Sequence, residues 1–186
     1  MRWAALWLLV SFALVGCGSH SPPAGPASGS RSLAFESGDV TGGQPIDPRF
    51  SCDGEGRSPA LRWSGVPTSA KSLALLLEDP DAPGGTFTHW IVYRLAPQVT
   101  SLAAGVPPNA SEWHGSSFRQ GVNQLGRNGY SGPCPPRGQT HRYVFRLLAL
   151  DTTPSLPAGA SRAELDRAVE GHTIAEARMT ATYSRS

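Results

Sequence analysis

Glycine and proline punctuate this chain so densely that it has little room for long helices. Among its 186 residues are 21 glycines and 17 prolines. Beyond residue 32 they gather into recurring turn-forming clusters: "SGDVTGG", "DGEGRSP", "DPDAPGG", "APQ", "GVPPN", "GRNGYSGPCPPRG" and "LPAGAS". Proline removes a backbone donor and fixes φ, and glycine weakens the interior of any element, so the segments between clusters must be short. The runs 33–37, 72–78, 88–95 and 141–150 read as strands, and "SLALLLE" and "YVFRLLAL" are apolar almost throughout, as in strands covered on both faces. One segment, about 161–170, carries a helical signature. Ser161 and Glu164 form a capping box, Leu165 with Ala168 and Val169 supplies an apolar face, and Gly171 stops it. After it, Ala177, Met179, Ala181 and Tyr183 alternate with Arg178, Thr180, Thr182 and Ser184, which predicts a late strand with one face inward. The fold class is mostly β with one helix near the C-terminus.

The first nineteen residues stand apart. Arg2 precedes an apolar run from Trp3 to Val15, which is too short for a spanning helix and suits a secretory signal. Leu14-Val15-Gly16-Cys17 resembles the lipobox of bacterial lipoproteins, which predicts a signal peptide over 1–16 and an acylated, palmitate-type anchor on Cys17. Residues 17–32 then read as a Gly/Ser/Pro-rich tether, and 33–186 as one domain. The expected location is the cell envelope, lipid-anchored, with Gly18 after Cys17 pointing to the periplasmic face of an outer membrane in a diderm cell. Contact with the membrane would be through the lipid alone. A formal net charge of +2 with no basic run gives no footprint for nucleic acid.

With Cys17 assigned to lipid, Cys52 and Cys134 remain as a pair for an oxidising compartment, and a disulfide between them is the economical reading. No Cys-x-x-Cys or Cys/His spacing suggests zinc, so neither a metal nor another cofactor is predicted.

Two loops concentrate polar residues beside strand ends. "EDPDAPGGTFTHW" carries Asp79, Asp81, Pro83 and His89; "SGPCPPRGQTHRYVF" carries Pro135, Pro136, His141 and Tyr143. The prolines hold the aspartates on a stiff backbone. Aspartate before such residues commonly closes a turn by hydrogen-bonding its own backbone, and a lone strand-end histidine is commonly half-buried and satisfied. Brought together, two imidazoles and a carboxylate could instead hold a phosphate-like anion, or the carboxylate could face an ammonium group. Trp113 and His114 sit in a loop that could rim such a site, and His172 follows the helix stop as a capping or core residue.

At these residues the sequence resembles the phosphatidylethanolamine-binding protein family, specifically its bacterial Raf-kinase-inhibitor-like branch. The motifs are "CDGEGRSPALRWSGVP", "SLALLLEDPDAPGGTFTHWIVYRLA", "GRNGYSGPCPPRGQTHRYVFRLLALD" and "ASRAELDRAVEGHTIAEARMTATYSR", together spanning about 35–185. The resemblance implies a Greek-key β-sandwich with an anion-binding pocket at one end. It implies Asp79 as the pocket carboxylate, His89 and His141 as its histidines, and Pro135 and Pro136 in the wall. Asp81 and Pro83 would shape the first loop, and Tyr143 would follow His141 on the strand lining the site. The short "GGTFT" stands where animal members have a longer, charged stretch, so kinase inhibition does not follow from the family's name.

Three functions follow. The leading one is an envelope-anchored binding protein, with no enzymatic activity, for a small anionic or phosphorylated ligand such as phosphate or a phospholipid headgroup. The alternative is an inhibitor or modulator of a protein partner, kinase- or protease-inhibitor-like. The third is a hydrolase, using Cys134 and His141 as a thiol–imidazole pair or His89, His141 and Asp79 around a metal. No Gly-x-Ser-x-Gly elbow is present.

Overall fold

The computed structural model describes residues 32–186. The predicted signal over 1–16, the anchor Cys17 and nearly all of the 17–32 tether lie outside the described residues. In chain order the strands are β1 (Ala34–Glu36), β2 (Leu61–Ser64), β3 (Ser72–Asp79), β4 (Phe87–Leu95), β5 (Ser101–Leu102), β6 (Glu112–Trp113), β7 (Ser116–Ser117), β8 (Arg119–Gln120), β9 (Thr140–Leu150) and β10 (Thr173–Ser184). One α-helix among the described residues, α1 (Arg162–Val169), precedes β10. The four predicted strand runs and the late strand are all present, with ends shifted by a few residues. β2 and the two-residue strands β5–β8 are additions that short, Gly-bounded segments did not announce.

Five antiparallel strands form the main sheet in the order β10-β9-β3-β4-β8, and β1-β2-β5 form a smaller one. β9 returns past the β3–β4 hairpin to lie beside β3, a connection of Greek-key character. Between the sheets lies the larger core, built from Leu61 and Trp63 of β2, Leu73, Leu75 and Leu77 of β3, Trp90 and Val92 of β4, Tyr143, Phe145 and Leu147 of β9, and Met179, Ala181 and Tyr183 of β10. On the opposite face, Leu165 and Val169 of α1 and Ala160 cover Ala74, Leu76, Ile91, Tyr93, Leu148 and Leu150. This explains the apolar runs read from the sequence: β3 is buried along all of its length because both its faces are covered. Each large side chain so buried contributes roughly 1.5–3 kcal/mol relative to an exposed one.

α1 forms as its sequence signals. Ser161 Oγ accepts from the Glu164 backbone N–H while Glu164 reaches back to the Ser161 N–H, completing the capping box. Gly171, at φ 74°, turns the chain out of the helix. A buried ion network ties α1 to the sheet. Glu78, 8% exposed, accepts from Arg162 Nε at 2.9 Å and from Arg146 Nη1 at 3.2 Å, so its charge is paired where an unpaired one would be costly.

The loop after β8 passes close to β4. Gly121 N–H donates to the Ile91 carbonyl, and a Cβ at Gly121 would lie 2.4 Å from the Ala160 carbonyl oxygen and 3.0 Å from Ile91. Gly121→Ala is therefore expected to destabilise the fold by about 1–3 kcal/mol. Gly38→Ala, where a Cβ meets nothing within 4 Å, should be close to neutral. Urea denaturation of both variants checks this, and equal midpoints would contradict it.

Candidate functional site

The three polar residues singled out at strand ends converge. β3 ends in Asp79, β9 begins with Thr140 and His141, and antiparallel pairing of these strands up to Glu78↔Val144 brings carboxylate and imidazole together. His141 Nδ1 lies 2.8 Å from Asp79 Oδ2, with both residues nearly buried, at 4% and 3% exposure. The other carboxylate oxygen, Oδ1, accepts the Asp81 backbone N–H at 2.9 Å. Asp79 thus closes its own turn and orients a histidine at the same time; the two readings open in the sequence are not exclusive. His141 Nε2 lies 3.1 Å from Gln139 Oε1.

His89 arrives by a different device. Register along β3 and β4 runs Leu77↔Trp90 and then Glu78↔Thr88, leaving His89 as the extra residue of a β-bulge. Trp90 and Val92 face the inter-sheet core, so strict alternation would turn His89 to the other side. The bulge instead sets its ring 5.3 Å from that of Tyr143, edge-on, and 4.7 Å from that of Phe87. Its Nδ1 lies 2.9 Å from the Ser131 carbonyl oxygen, so Nδ1 carries the proton and donates. Nε2 has no hydrogen-bond partner among the described residues. Burial, the largest influence, lowers the His89 pKa below its usual 6.5, against the opposing pull of the Ser131 carbonyl and the Asp79 charge; His141 adds to the lowering.

Asp79, His89 and His141 share a cavity of about 470 Å³ with Pro83, Phe87, Leu125, Pro135, Pro136 and Arg185. The polar groups lie among apolar walls, and Leu125, 56% exposed, stands at its edge.

The wall that carries the prolines is fastened to a distant segment. Cys52 and Cys134 form a disulfide with Cα atoms 5.4 Å apart. Beside it, Cys52 N–H donates to the Pro133 carbonyl at 3.1 Å and Tyr130 Oη to the Phe50 carbonyl at 2.7 Å. Gly132 packs so closely that a Cβ would sit 2.7 Å from the Phe50 carbonyl oxygen. In the disulfide, Cys134 carries no thiol for the Cys134–His141 pairing weighed above.

Asp81, expected to shape the first loop, and Tyr143, expected to follow His141 on the strand lining the site, do not themselves line the cavity. Asp81 turns away from the cavity to grip Arg142: its Oδ2 accepts the Arg142 backbone N–H and Nε, its Oδ1 accepts Nη2, and these bonds hold its carboxyl down at about pKa 2. It braces the loop against β9. Tyr143 lies beneath His89, fully buried, with its hydroxyl unpartnered among the described residues; burial pushes that hydroxyl's pKa up, and the Asp79 charge adds to the effect. Trp113 and His114 belong to the β6–β7 hairpin and do not line the cavity. His172 pairs with Asp151 at 2.8 Å, and its backbone N–H caps the helix end through the Val169 carbonyl.

Phe87, Leu125, Ser131 and Arg185 belong to the site and were not anticipated. Arg185 did have a signal: it continues the inward series Ala177, Met179, Ala181, Tyr183 by one step, and a charge at an inward position is out of place unless something holds it.

The family model described as phosphatidylethanolamine-binding protein matches residues 36–184. A UPF0098 protein of Methanothermobacter thermautotrophicus is 49% identical over 140 residues, which cover 75% of this chain and 91% of the relative. The crystal structure of CT736 from Chlamydia trachomatis, a phosphatidylethanolamine-binding protein homologue, superposes with a TM-score of 0.75 at 40% identity, covering 83% of this chain and 99% of that one. Escherichia coli YbcL, described as a member of the mammalian PEBP family, superposes with a TM-score of 0.78 at 30% identity, over 84% and 100% of the two chains.

The His89 environment predicts a pH effect. With its folded pKa below 6.5, the unfolded chain binds the proton more readily, so stability is full above pH 6.5 and falls as pH drops toward the folded value. Urea midpoints for ligand-free protein should decline between pH 7.5 and 5, and the decline should be shallower in His89→Gln. Parallel declines in the two proteins would count against this account of His89.

Proposed function

The chain belongs to the phosphatidylethanolamine-binding protein family, and on that premise we propose that its cavity binds a small anionic or phosphorylated ligand. The observation that carries this reading is the state of Asp79. Both carboxylate oxygens already accept protein donors, one from the Asp81 backbone and one from His141. What the cavity offers a ligand is therefore the His89 imidazole and the Arg185 guanidinium, with His141 Nε2 open to a ligand only in place of Gln139 Oε1, a set whose one cation suits an oxyanion rather than an ammonium. Pro83, Phe87, Pro135 and Pro136 would accommodate an apolar substituent on the anion.

His89 Nε2 is a lone pair while the ring is neutral, so it accepts from a protonated ligand oxygen. Binding, rather than turnover, is the role this arrangement supports. Asp79 and His141 resemble a base and its orienting carboxylate, yet the hydroxyl in the lining, Ser131, lies instead 3.3 Å from His89 Nδ1, a nitrogen that already carries a proton and cannot serve it as a base. Titration calorimetry with inorganic phosphate at pH 6 is expected to show binding that weakens at least about tenfold in His89→Ala and in His141→Ala. Wild-type affinity retained in both variants would sink the reading.

The envelope location rests on the lipobox-like Leu14-Val15-Gly16-Cys17 and is supported by the Cys52–Cys134 disulfide, which suits an oxidising compartment. Metabolic labelling with palmitate should mark the wild-type protein and not Cys17→Ser. Equal labelling of both, or of neither, would remove the anchor from the proposal.

A further inference from the structure

Among the described residues, Arg185 is the one arginine or lysine in the cavity lining. Its guanidinium is held on one side only. Nε donates to Asp53 Oδ1 at 3.0 Å and Oδ2 at 3.1 Å, and Nη2 lies 2.9 Å from Oδ1. Nη1 has no hydrogen-bond partner among the described residues. Asp53 is itself fixed: Tyr183 Oη donates to its Oδ2 at 2.8 Å, and Ser51 Oγ donates to Tyr183 Oη at 2.7 Å. The backbone is pinned too, since Gly138 N–H donates to the Arg185 carbonyl at 2.7 Å. Arg185 is 23% exposed in its side chain, so it reaches the lining without being sealed in it.

Arg185 lines both this cavity and an adjoining recess that holds Asp53; Nη1 is the edge that Asp53 leaves for a ligand, and the cavity lining also carries an accepting nitrogen, His89 Nε2. Burial, the largest influence, lowers the His89 pKa; of the groups facing it, the Ser131 backbone, Asp79 on β3 and the Gly132 backbone favour the proton and His141 on β9 opposes it. A ligand that satisfies both ends must donate a hydrogen to His89 and present an anionic oxygen to Arg185. A phosphomonoester can do so, having three terminal oxygens and a second ionisation near pH 6, so that one oxygen readily carries a proton. A phosphodiester has two terminal oxygens and no proton near neutral pH. Its oxygens would meet the His89 lone pair with lone pairs of their own, and an unmade bond to a buried group is costly.

We propose that Arg185, positioned by Asp53, is a specificity-determining contact of this cavity and acts with His89 Nε2 to favour phosphomonoesters over phosphodiesters. This rests on the anion-binding reading above. It narrows the ligand class to a phosphorylated hydroxyl compound and places its organic part along Phe87, Leu125 and the prolines.

The test compares phenyl phosphate with methyl phenyl phosphate by titration calorimetry at pH 7 on the full-length protein. The wild type should favour the monoester by about tenfold or more, the range of one charge-assisted hydrogen bond. Arg185→Gln should weaken the monoester about tenfold and the diester less, narrowing the ratio. A merely structural role would weaken both alike, so the ratio is the decisive readout, with thermal melting monitored by circular dichroism as the check on folding. Should Arg185→Gln fold poorly, Arg185→Lys keeps the charge and stem without the fork and should also narrow the ratio. Equal wild-type affinities, or a ratio unchanged by Arg185 substitution, overturn the proposal. If inorganic phosphate still binds in a His89-dependent way, only the Arg185 assignment falls. If no phosphate probe binds the wild type, the anion reading falls and this inference with it.

Discussion

The antiparallel pairing of β3 with β9 is the constraint on which the cavity depends. It runs from Ser72↔Leu150 to Glu78↔Val144 without a slip, and both faces of the pair are apolar and covered. Leu73, Leu75 and Leu77 fill the core between the sheets, whereas Ala74 and Leu76 meet α1 and its approach. A slip of one residue would exchange those faces, setting Ala74 in the wide space and leucines under the helix. Register is thus specified from two sides, and Asp79, one residue past it on β3, and His141, three residues past it on β9, inherit that precision. Their hydrogen bond places a carboxylate in a setting where an unpaired charge would cost several kcal/mol. His141 and the Asp81 backbone supply the compensation, so core packing and site geometry are one arrangement.

The opposite wall has no strand pairing of comparable length and is assembled by crosslinks. The Cys52–Cys134 disulfide closes a separation of 82 residues, worth about 4 kcal/mol in the chain-entropy account. Around it, the Cys52–Pro133 and Tyr130–Phe50 hydrogen bonds and the tight approach of Gly132 hold the Pro-rich loop against segment 50–53. The chain's last residues join the same knot: Arg185 and Tyr183 bind Asp53, and Arg137 binds the Ser186 carbonyl at 2.5 Å. Three segments far apart in sequence therefore meet at one side of the cavity. Proline supplies stiffness there that hydrogen bonding in a ladder supplies on the other side.

Much of this was legible in the sequence, for identifiable reasons. Long apolar runs bounded by Gly and Pro announce doubly covered strands, and β3, β4 and β9 are where they were expected. Ser161, Glu164 and Gly171 are a start and stop signal for α1, and alternation from Ala177 to Tyr183 marks the inward face of β10. The resemblance brought Asp79, His89 and His141 to one pocket. The bulge at His89 was not legible, because "HWIVYRL" is apolar on both sides of the strand and alternation has no purchase on it. Nor was the outward turn of Asp81, since an aspartate in a Pro-rich loop reads alike whether it faces a ligand or the neighbouring Arg142. Phe87, Leu125 and Ser131 enter through tertiary contact alone. β2 and β5 to β8 are too short to be told from loop by pattern.

The distribution of charge says what kind of recognition the cavity can perform. Its two full ionic groups are already matched: the negative charge of Asp79 is spent on His141 and the Asp81 backbone, and the positive charge of Arg185 on Asp53. A long-range positive field is thus weak here, in keeping with a chain whose formal charge is only +2. What each pair leaves over is direction. Asp79 fixes how the His141 ring stands, the Ser131 carbonyl fixes which nitrogen of His89 is bare, and Asp53 fixes which edge of Arg185 is free. A ligand is then distinguished by where its protons and lone pairs lie more than by how much charge it carries. Such a site gains discrimination because each buried polar group that finds no partner is penalised. The stiff surroundings matter for the same reason: a wall that could yield would let a mismatched ligand relax, and the disulfide and prolines deny it that freedom.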